Sequence, residues 1–171
     1  MSFLNRLRGD RPPAEASGAL DAGDRLLAWA RTDDGGLIAA SVRGLRLADG
    51  RLLPWHTIDK AVWTSPVLSV TEAAEVAPGV AEAQPACGLR LAEPRDLPAV
   101  VRSRVTRSVA YSAHHGLPGS GGVRVVGRRV AGQDGLDWSV RYDDPADRHN
   151  PGAWAAAEQL LAAARASLAV S

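Results

Sequence analysis

The chain contains a single cysteine, Cys87, among its 171 residues. One thiol cannot form a disulfide within the chain, so we expect a fold that depends on a hydrophobic core and a reducing, cytoplasmic setting. Zinc sites that use two or more cysteines of this chain are excluded for the same reason. A chain of this length buries enough apolar surface for one domain to be stable without crosslinks.

Long apolar runs are missing as well. No stretch of the sequence approaches the roughly 18 consecutive apolar residues that a membrane-spanning helix needs. The first residues, Met-Ser-Phe-Leu-Asn-Arg, lack the apolar centre of a signal peptide. We therefore expect a protein that is neither inserted in a membrane nor exported.

Lysine is nearly absent, since Lys60 stands beside nineteen arginines, and these arginines are unevenly distributed. The net charge of the whole chain is only +1 at pH 7. Residues 95–130, however, hold seven arginines against one acidic residue, a net charge of +6, whereas residues 1–94 carry −2 and residues 131–171 carry −3. A GC-rich genome accounts for the preference for arginine over lysine, but the basic middle segment is the part of the chain that points to a function.

The organisation of the chain predicts a tail followed by one folded unit. Residues 1–22 are rich in residues that break regular structure and are expected to be disordered, and residues 23–171 are expected to form a single α+β domain. Residues 3–8 combine apolar side chains, Phe3, Leu4 and Leu7, with the basic Arg6 and Arg8. A frayed terminus is the favoured interpretation for them, and the alternative is a short amphipathic helix that touches a membrane surface or a partner.

Residues 25–70 have the pattern of consecutive short strands. The firmest local prediction is a hairpin around Asp49-Gly50, because Asp-Gly between two apolar runs is a strong hairpin signature. Residues 71–86 are small and acidic with two prolines, and they are predicted to be a mobile loop. Cys87–Leu91 is predicted to return as a strand.

A helix is predicted from Leu97 to Val109, opened by Asp96 as its cap and by Pro98 in its first turn. A second hairpin follows over residues 123–143, and strict alternation over residues 136–143 predicts one buried and one wet face. Asn150-Pro151 is expected to open a C-terminal helix by the same capping logic. On the first helix, Arg104 falls inside the apolar face, so the pattern predicts a specific role or partner for it, such as Glu93.

The first half of the chain resembles a known family. Residues 23–64, from Gly23-Asp-Arg-Leu-Leu-Ala-Trp-Ala through Ala61-Val-Trp-Thr64, resemble the opening meander of bacterial pleckstrin-homology-like (PH-like) and GRAM-like domains. The likeness lies in the run of short hairpins and in the segment Pro54-Trp-His-Thr-Ile58. The whole chain is similar to small proteins of high-GC actinobacteria. The resemblance implies that the antiparallel β-meander is a PH-like partial barrel. Together with the inserted helix, the second β-hairpin and the C-terminal helix predicted above, the expected fold class is α+β. A PH-like domain ends in one helix after its strands, so the inserted helix and the elements that follow it depart from the family's pattern. The resemblance also implies a binding or scaffolding surface.

Motifs for catalysis and metal binding are weak. His114 and His115 are adjacent, so on a strand they point to opposite faces and cannot easily share one ion. The glycine-rich run over residues 116–122 lacks the features of a phosphate loop, and Cys87 begins an apolar strand. The sequence therefore predicts no metal and no cofactor, and an enzyme with dispersed residues such as His114, His115 and Asp59 is the least favoured alternative.

The remaining candidates are arginines of the second half. A solvated face paired with nearby carboxylates is the structural interpretation, and an anion-binding patch is the functional one. We predict a non-catalytic module that binds a protein or an anionic partner, with double-stranded nucleic acid as the alternative ligand. The proposed site residues are Arg102, Arg104, Arg107, Arg124, Arg128, Arg129 and Arg141.

Overall fold

The computed structural model describes residues 11–169, without the side chain of Ala169. The predicted amphipathic segment, residues 3–8, lies outside this range. No helix within the described range is long and apolar enough to cross a membrane.

Three helices and eleven strands make up the described residues, a mixed α+β fold that consists mostly of sheet. The helices are α1 (Ala14–Gly18), α2 (Leu97–Ser108) and α3 (Pro151–Ala169), with short 3-10 turns at Trp55–Thr57 and Pro145–His149. The strands are β1 (Leu26–Thr32), β2 (Leu37–Ser41), β3 (Gly44–Arg46), β4 (Leu52–Pro54), β5 (Ile58–Thr64), β6 (Val67–Ala77), β7 (Val80–Ala83), β8 (Cys87–Glu93), β9 (Val109–Gly116), β10 (Gly122–Arg129) and β11 (Leu136–Tyr142).

All eleven strands belong to one continuous sheet. Its order is β4-β3-β2-β1-β8-β6-β7-β11-β10-β9, and β5 pairs with β6 beside this path. Almost all neighbours are antiparallel, the exception being a single parallel bridge between Val80 of β7 and Val140 of β11. The end strands β4 and β9 do not pair with each other, so the sheet of the described residues is open.

Two hydrophobic cores lie on this sheet. The first is built mainly of leucine and isoleucine, including Ile38, Leu45 and Leu97, and packs α2 against the strands of the first half. The second is built of valine and alanine, including Val125 and Ala157, and packs α3 against β10 and β11. Strand β6 connects them, because its first half pairs with β5 and β8 and its second half with β7.

The segment predicted as a disordered tail contains regular structure. Helix α1 lies within it, and the side chain of Ala16 is completely buried against the first half. Glu15 pairs with Arg31 of β1 at 3.1 Å, and Asp21 pairs with Arg46 of β3 at 3.2 Å. The break-prone composition of this segment hid these contacts, since one small apolar side chain is enough to anchor one turn of helix.

The prediction of a mobile loop over residues 71–86 is wrong. Strands β6 and β7 form a hairpin there, which turns at Pro78-Gly79. Gly79 has a positive φ of 71°, as the turn requires. Small and acidic residues are tolerated on this hairpin because most of its side chains are only half-buried or exposed.

Several local predictions are confirmed. Strands β3 and β4 form the hairpin around Asp49-Gly50, and α2 has almost the predicted bounds. Asn150 caps α3, because its Oδ1 accepts from the backbone N–H groups of Gly152 and Ala153. Asp96 precedes α2 without a side-chain capping bond. The predicted second hairpin is β10–β11. Strand β9, which was not predicted, pairs with β10 as a third strand.

Gly44→Ala is expected to destabilise the protein by about 1–3 kcal/mol, because a Cβ there would stand 2.3 Å from the Leu53 carbonyl oxygen on the neighbouring strand. Urea unfolding measures the change. Gly116→Ala is the matched control, since no atom lies within 4 Å of the added Cβ. Equal effects of the two substitutions would contradict the close approach of β3 and β4.

Candidate functional site

The structure divides the seven predicted arginines into three sets. Arg104, Arg107 and Arg129 line one groove, and Arg128 and Arg141 meet at a single carboxylate. Arg102 and Arg124 join neither set. The single patch predicted from the sequence is therefore two separate sites with different surroundings.

The groove runs along one flank of α2 and consists of two depressions of about 480 and 330 Å³ that share Arg104 and Arg107. We call it the α2 groove. Its first part is lined by Leu27, Asp96, Ala99, Val100, Ser103, Arg104 and Arg107. Its second part is lined by Val42, Trp55, Arg104, Arg107, Ser108, Arg129, Val130 and Ala131.

Helical spacing explains which arginines reach the α2 groove. Arg104 and Arg107 are three residues apart and therefore lie on the same flank of α2. Arg102 lies on the opposite flank and is exposed. Arg104 is half-buried and lines both parts of the groove. A position inside the predicted apolar face is compatible with an arginine, because the alkyl part of this side chain can cover apolar surface.

Arg129 enters the groove from β10. Its guanidinium donates to the backbone carbonyl oxygens of Arg107 at 3.0 Å and of Val109 at 3.4 Å. The last carbonyls of a helix have no partner within the helix and carry partial negative charge, so a cation is stabilising at this end. Arg129 thus fixes its own position by capping α2.

The positive charge of the α2 groove is poorly compensated. Within residues 11–169, no hydrogen bond or ion pair involves the guanidinium of Arg104 or Arg107. The expected partner of Arg104, Glu93, pairs with Arg95 at 2.9 Å instead. Among the residues that the structure describes, Asp96 is the one acidic residue that lines the groove, and it lies at the N-terminal end of α2. A ligand with carboxylate or phosphate groups would therefore meet available donors here.

The second set is built around Asp59 of β5. Arg141 Nη1 lies 2.5 Å from Asp59 Oδ1, and Arg128 Nη2 lies 3.7 Å from the same oxygen. Arg128 also donates to Ser108 Oγ at 2.8 Å and to the Asp59 carbonyl oxygen at 3.4 Å. We call this arrangement the Asp59 cluster. It joins β5 and the end of α2 to β10 and β11.

Strand alternation places these side chains. In the β10–β11 register, Arg124 lies opposite Arg141 and Arg128 lies opposite Asp137, so all four occupy one face of the sheet. Arg129, the next residue after Arg128 on β10, lies on the other face. The irregularity at Gly127 affects pairing with β9 and leaves the β10–β11 register intact. Arg124 is exposed, and its Nη1 donates to Ser112 Oγ at 3.4 Å.

A polar depression of about 220 Å³ opens beside the Asp59 cluster, between the two halves. Burial lowers the pKa of the Arg128 guanidinium, and the like charge of Arg141 adds to this shift. Burial also lowers the pKa of His56, which lines the depression. The Asp137 carboxylate opposes this shift, and the Arg128 charge reinforces it. The depression is lined by His56, Thr57, Ala73, Glu75, Gly79, Ala81, Arg128, Asp137, Trp138, Ser139 and Arg141.

The histidine pair is divided as strand geometry predicts. His114 is exposed and its Nε2 lies 2.8 Å from Asp143 Oδ2, whereas the neighbouring His115 is partly buried. The side chain of Asp59 is engaged with the two arginines, so these candidate residues have different partners. Among residues 11–169 no group of three or more His, Cys, Asp or Glu side chains is arranged to hold a metal ion.

No sequence pattern indicated that Asp59 pairs with Arg128 and Arg141 or that the Ser108 hydroxyl accepts a hydrogen bond from Arg128. Asp59 sits 69 residues from Arg128 and 82 from Arg141, so no local pattern connects them. The one usable signal was alternation, which placed Arg128 on the face opposite to Arg129.

Comparisons with protein-family models, with curated proteins and with solved structures found no match for this chain. The resemblance of the first half to PH-like and GRAM-like domains is neither supported nor opposed by them.

Asp59→Ala is expected to destabilise the protein by about 2–3 kcal/mol, because it leaves two largely buried arginines without their carboxylate. The value lies below that of a fully buried pair since a quarter of the Asp59 side chain is exposed. Urea unfolding measures the change. The control is Asp33→Ala, which removes an exposed pair with Arg90 and should change stability little. An equal loss of unfolding free energy in the two variants would contradict a stabilising role of the Asp59 cluster.

His56 is expected to make stability depend on pH. Its folded pKa lies below the ordinary value of 6.5, so the unfolded chain binds more protons as the pH falls through 6.5. The free energy of unfolding of the wild type should therefore drop more than that of His56→Gln between pH 7 and about pH 5. Denaturation series at several pH values give both curves, and parallel curves would refute the assignment.

Proposed function

We propose that this protein is a non-catalytic binding module that recognises an acidic segment of a partner protein in the α2 groove. The observation that supports the proposal most directly is the convergence of Arg104, Arg107 and Arg129 on one depression with little compensating negative charge. Charge-assisted hydrogen bonds from such guanidinium groups to carboxylates are about twice as strong as neutral ones.

The groove combines charge with an apolar floor. Val42, Trp55, Val130 and Ala131 line the same depression as the three arginines. A peptide that alternates acidic and apolar side chains would use both kinds of surface. Helix α2 is 12 residues long, or about 18 Å, which matches about six residues of an extended peptide.

Nucleic acid is the less favoured ligand. Proteins that bind duplexes tightly often contact about six to ten phosphates, whereas three arginines line this groove. Arg102 and Arg124, which could have extended a phosphate track, lie outside it. The apolar floor would also gain nothing from a phosphate backbone.

The proposal includes a finer description of the fold and location. We propose that the first half is a PH-like partial barrel in which α2 covers one side, and that the protein acts in the cytoplasm. The consecutive antiparallel strands β1–β4, the β5–β6 hairpin and the packing of α2 on the first core support the former, and the single cysteine supports the latter.

The test uses a fluorescein-labelled peptide of about six alternating glutamate and leucine residues, with a glutamine–leucine peptide as neutral probe. Fluorescence anisotropy should show binding of the acidic peptide to the wild type. The variant Arg104→Ser/Arg107→Ser should weaken binding by about tenfold or more, because each lost charged hydrogen bond contributes about 1.5–3 kcal/mol.

The matched control is Arg102→Ser/Arg124→Ser, which removes the same charge from other surfaces and should change affinity less than about twofold, the size of a long-range charge effect. Equal losses in the two variants would contradict a site in the α2 groove. Preference for a 20-base-pair DNA duplex, with affinity falling steeply as salt rises, would favour the nucleic-acid alternative.

A further inference from the structure

Strand β9 leaves one edge of the sheet open. It pairs with β10 on one side, and no other strand of residues 11–169 pairs with it. Its residues are half-buried or exposed throughout. The free N–H and C=O groups of an edge strand are a template for pairing with a further strand.

This edge carries none of the residues that usually protect one. Val109–Gly116 contains no lysine, arginine, aspartate, glutamate or proline. The opposite end of the sheet, β4, is only three residues long and ends in Pro54. Short length and proline both hinder pairing with a further strand. The β4 end of the sheet therefore has this protection, and the β9 end does not.

The free part of the edge begins at Ala110. The carbonyl oxygen of Val109 already accepts from the Arg129 guanidinium, at 3.4 Å. Ala110–Gly116 is seven residues long, or about 24 Å of strand. A strand of this length matches the ordinary length of paired strands in globular proteins.

We propose that β9 pairs antiparallel with β9 of a second copy of this chain, around a two-fold axis at Ala113. An axis normal to the sheet keeps each face of one copy continuous with the same face of the other. Tyr111 then lies opposite His115 of the second copy, and Ser112 opposite His114 of the second copy. No two fixed charges are brought together, and the full length from Ala110 to Gly116 is paired.

The side chains favour a second copy over the acidic partner proposed above. Tyr111 packs on Trp138 with ring centroids 5.4 Å apart, and the partly buried Ala113 and His115 follow it along the same face. Pairing with an identical strand would continue this face across the axis. An acidic segment would meet no arginine or lysine between Ala110 and Gly116.

Sedimentation equilibrium of the full chain, from about 1 to 200 µM, tests the proposal over the usual range of weak to moderate self-association. The wild type should dimerise. Ala113→Lys should shift it to monomer, because two ammonium groups would lie close to the axis. The control is Ala92→Lys, at an exposed strand position of β8, which should leave the dimer intact. Far-UV circular dichroism confirms that both variants are folded.

A cysteine variant decides the question even if Ala113→Lys fails to fold. Cys87→Ser/Ala113→Cys should form a covalent dimer under mild oxidation, since residues facing each other across an antiparallel pair are close enough for a disulfide. Cys87→Ser/Ala92→Cys should stay monomeric on a non-reducing gel. A monomeric wild type would overturn the proposal. So would equal association of Ala113→Lys and Ala92→Lys, or equal crosslinking of the two cysteine variants. A monomer that dimerises only after residues 1–10 are removed would assign the edge to that segment and would overturn it too.

Discussion

One aspartate holds the two halves of this protein together by charge. Asp59 belongs to the first half, and both arginines that reach it belong to the second. Taking such groups out of water is costly, and the attraction between them offsets this cost only when every donor finds an acceptor. Here Ser108 completes the set, since its hydroxyl accepts from Arg128 and donates to the Val105 carbonyl oxygen. The cluster therefore fixes the end of α2 relative to β10.

The backbone provides the second link between the halves. Strand β6 runs from the first core into the β6–β7 hairpin, and the Val140 N–H donates to the Gly79 carbonyl oxygen at 2.8 Å. Because this parallel contact is so short, side chains have to define how β11 sits against β7. An ion pair between Arg148 and Glu82 adds to the same junction from the turn before α3. The α2 groove depends on both links, since Arg104 and Arg107 lie on α2, which packs on the first core, whereas Arg129 lies on β10, which packs in the second core.

The sequence predicted the parts of the fold that depend on neighbouring residues. The Asp49-Gly50 hairpin, helix α2 and the cap at Asn150 each have a local cause, either a φ preference or a short side-chain bond. Strand β9 and the β6–β7 hairpin were missed although each pairs with its neighbour in the chain, because small residues such as alanine give little periodic signal. The arginines of the site were all named, but their division into groove and cluster depends on contacts across more than 60 residues.

The different composition of the two cores has a consequence for how the molecule opens. The first core buries leucines, isoleucines and Trp55, whereas the second buries mainly valines and the alanines of α3. Smaller side chains remove less apolar area from water, so the second half gains less free energy for each residue that it buries. Local unfolding follows such differences, and units with less burial open first. Amide hydrogens of α3 should therefore exchange through a sub-global opening that leaves the protons of β1, β2 and β3 protected.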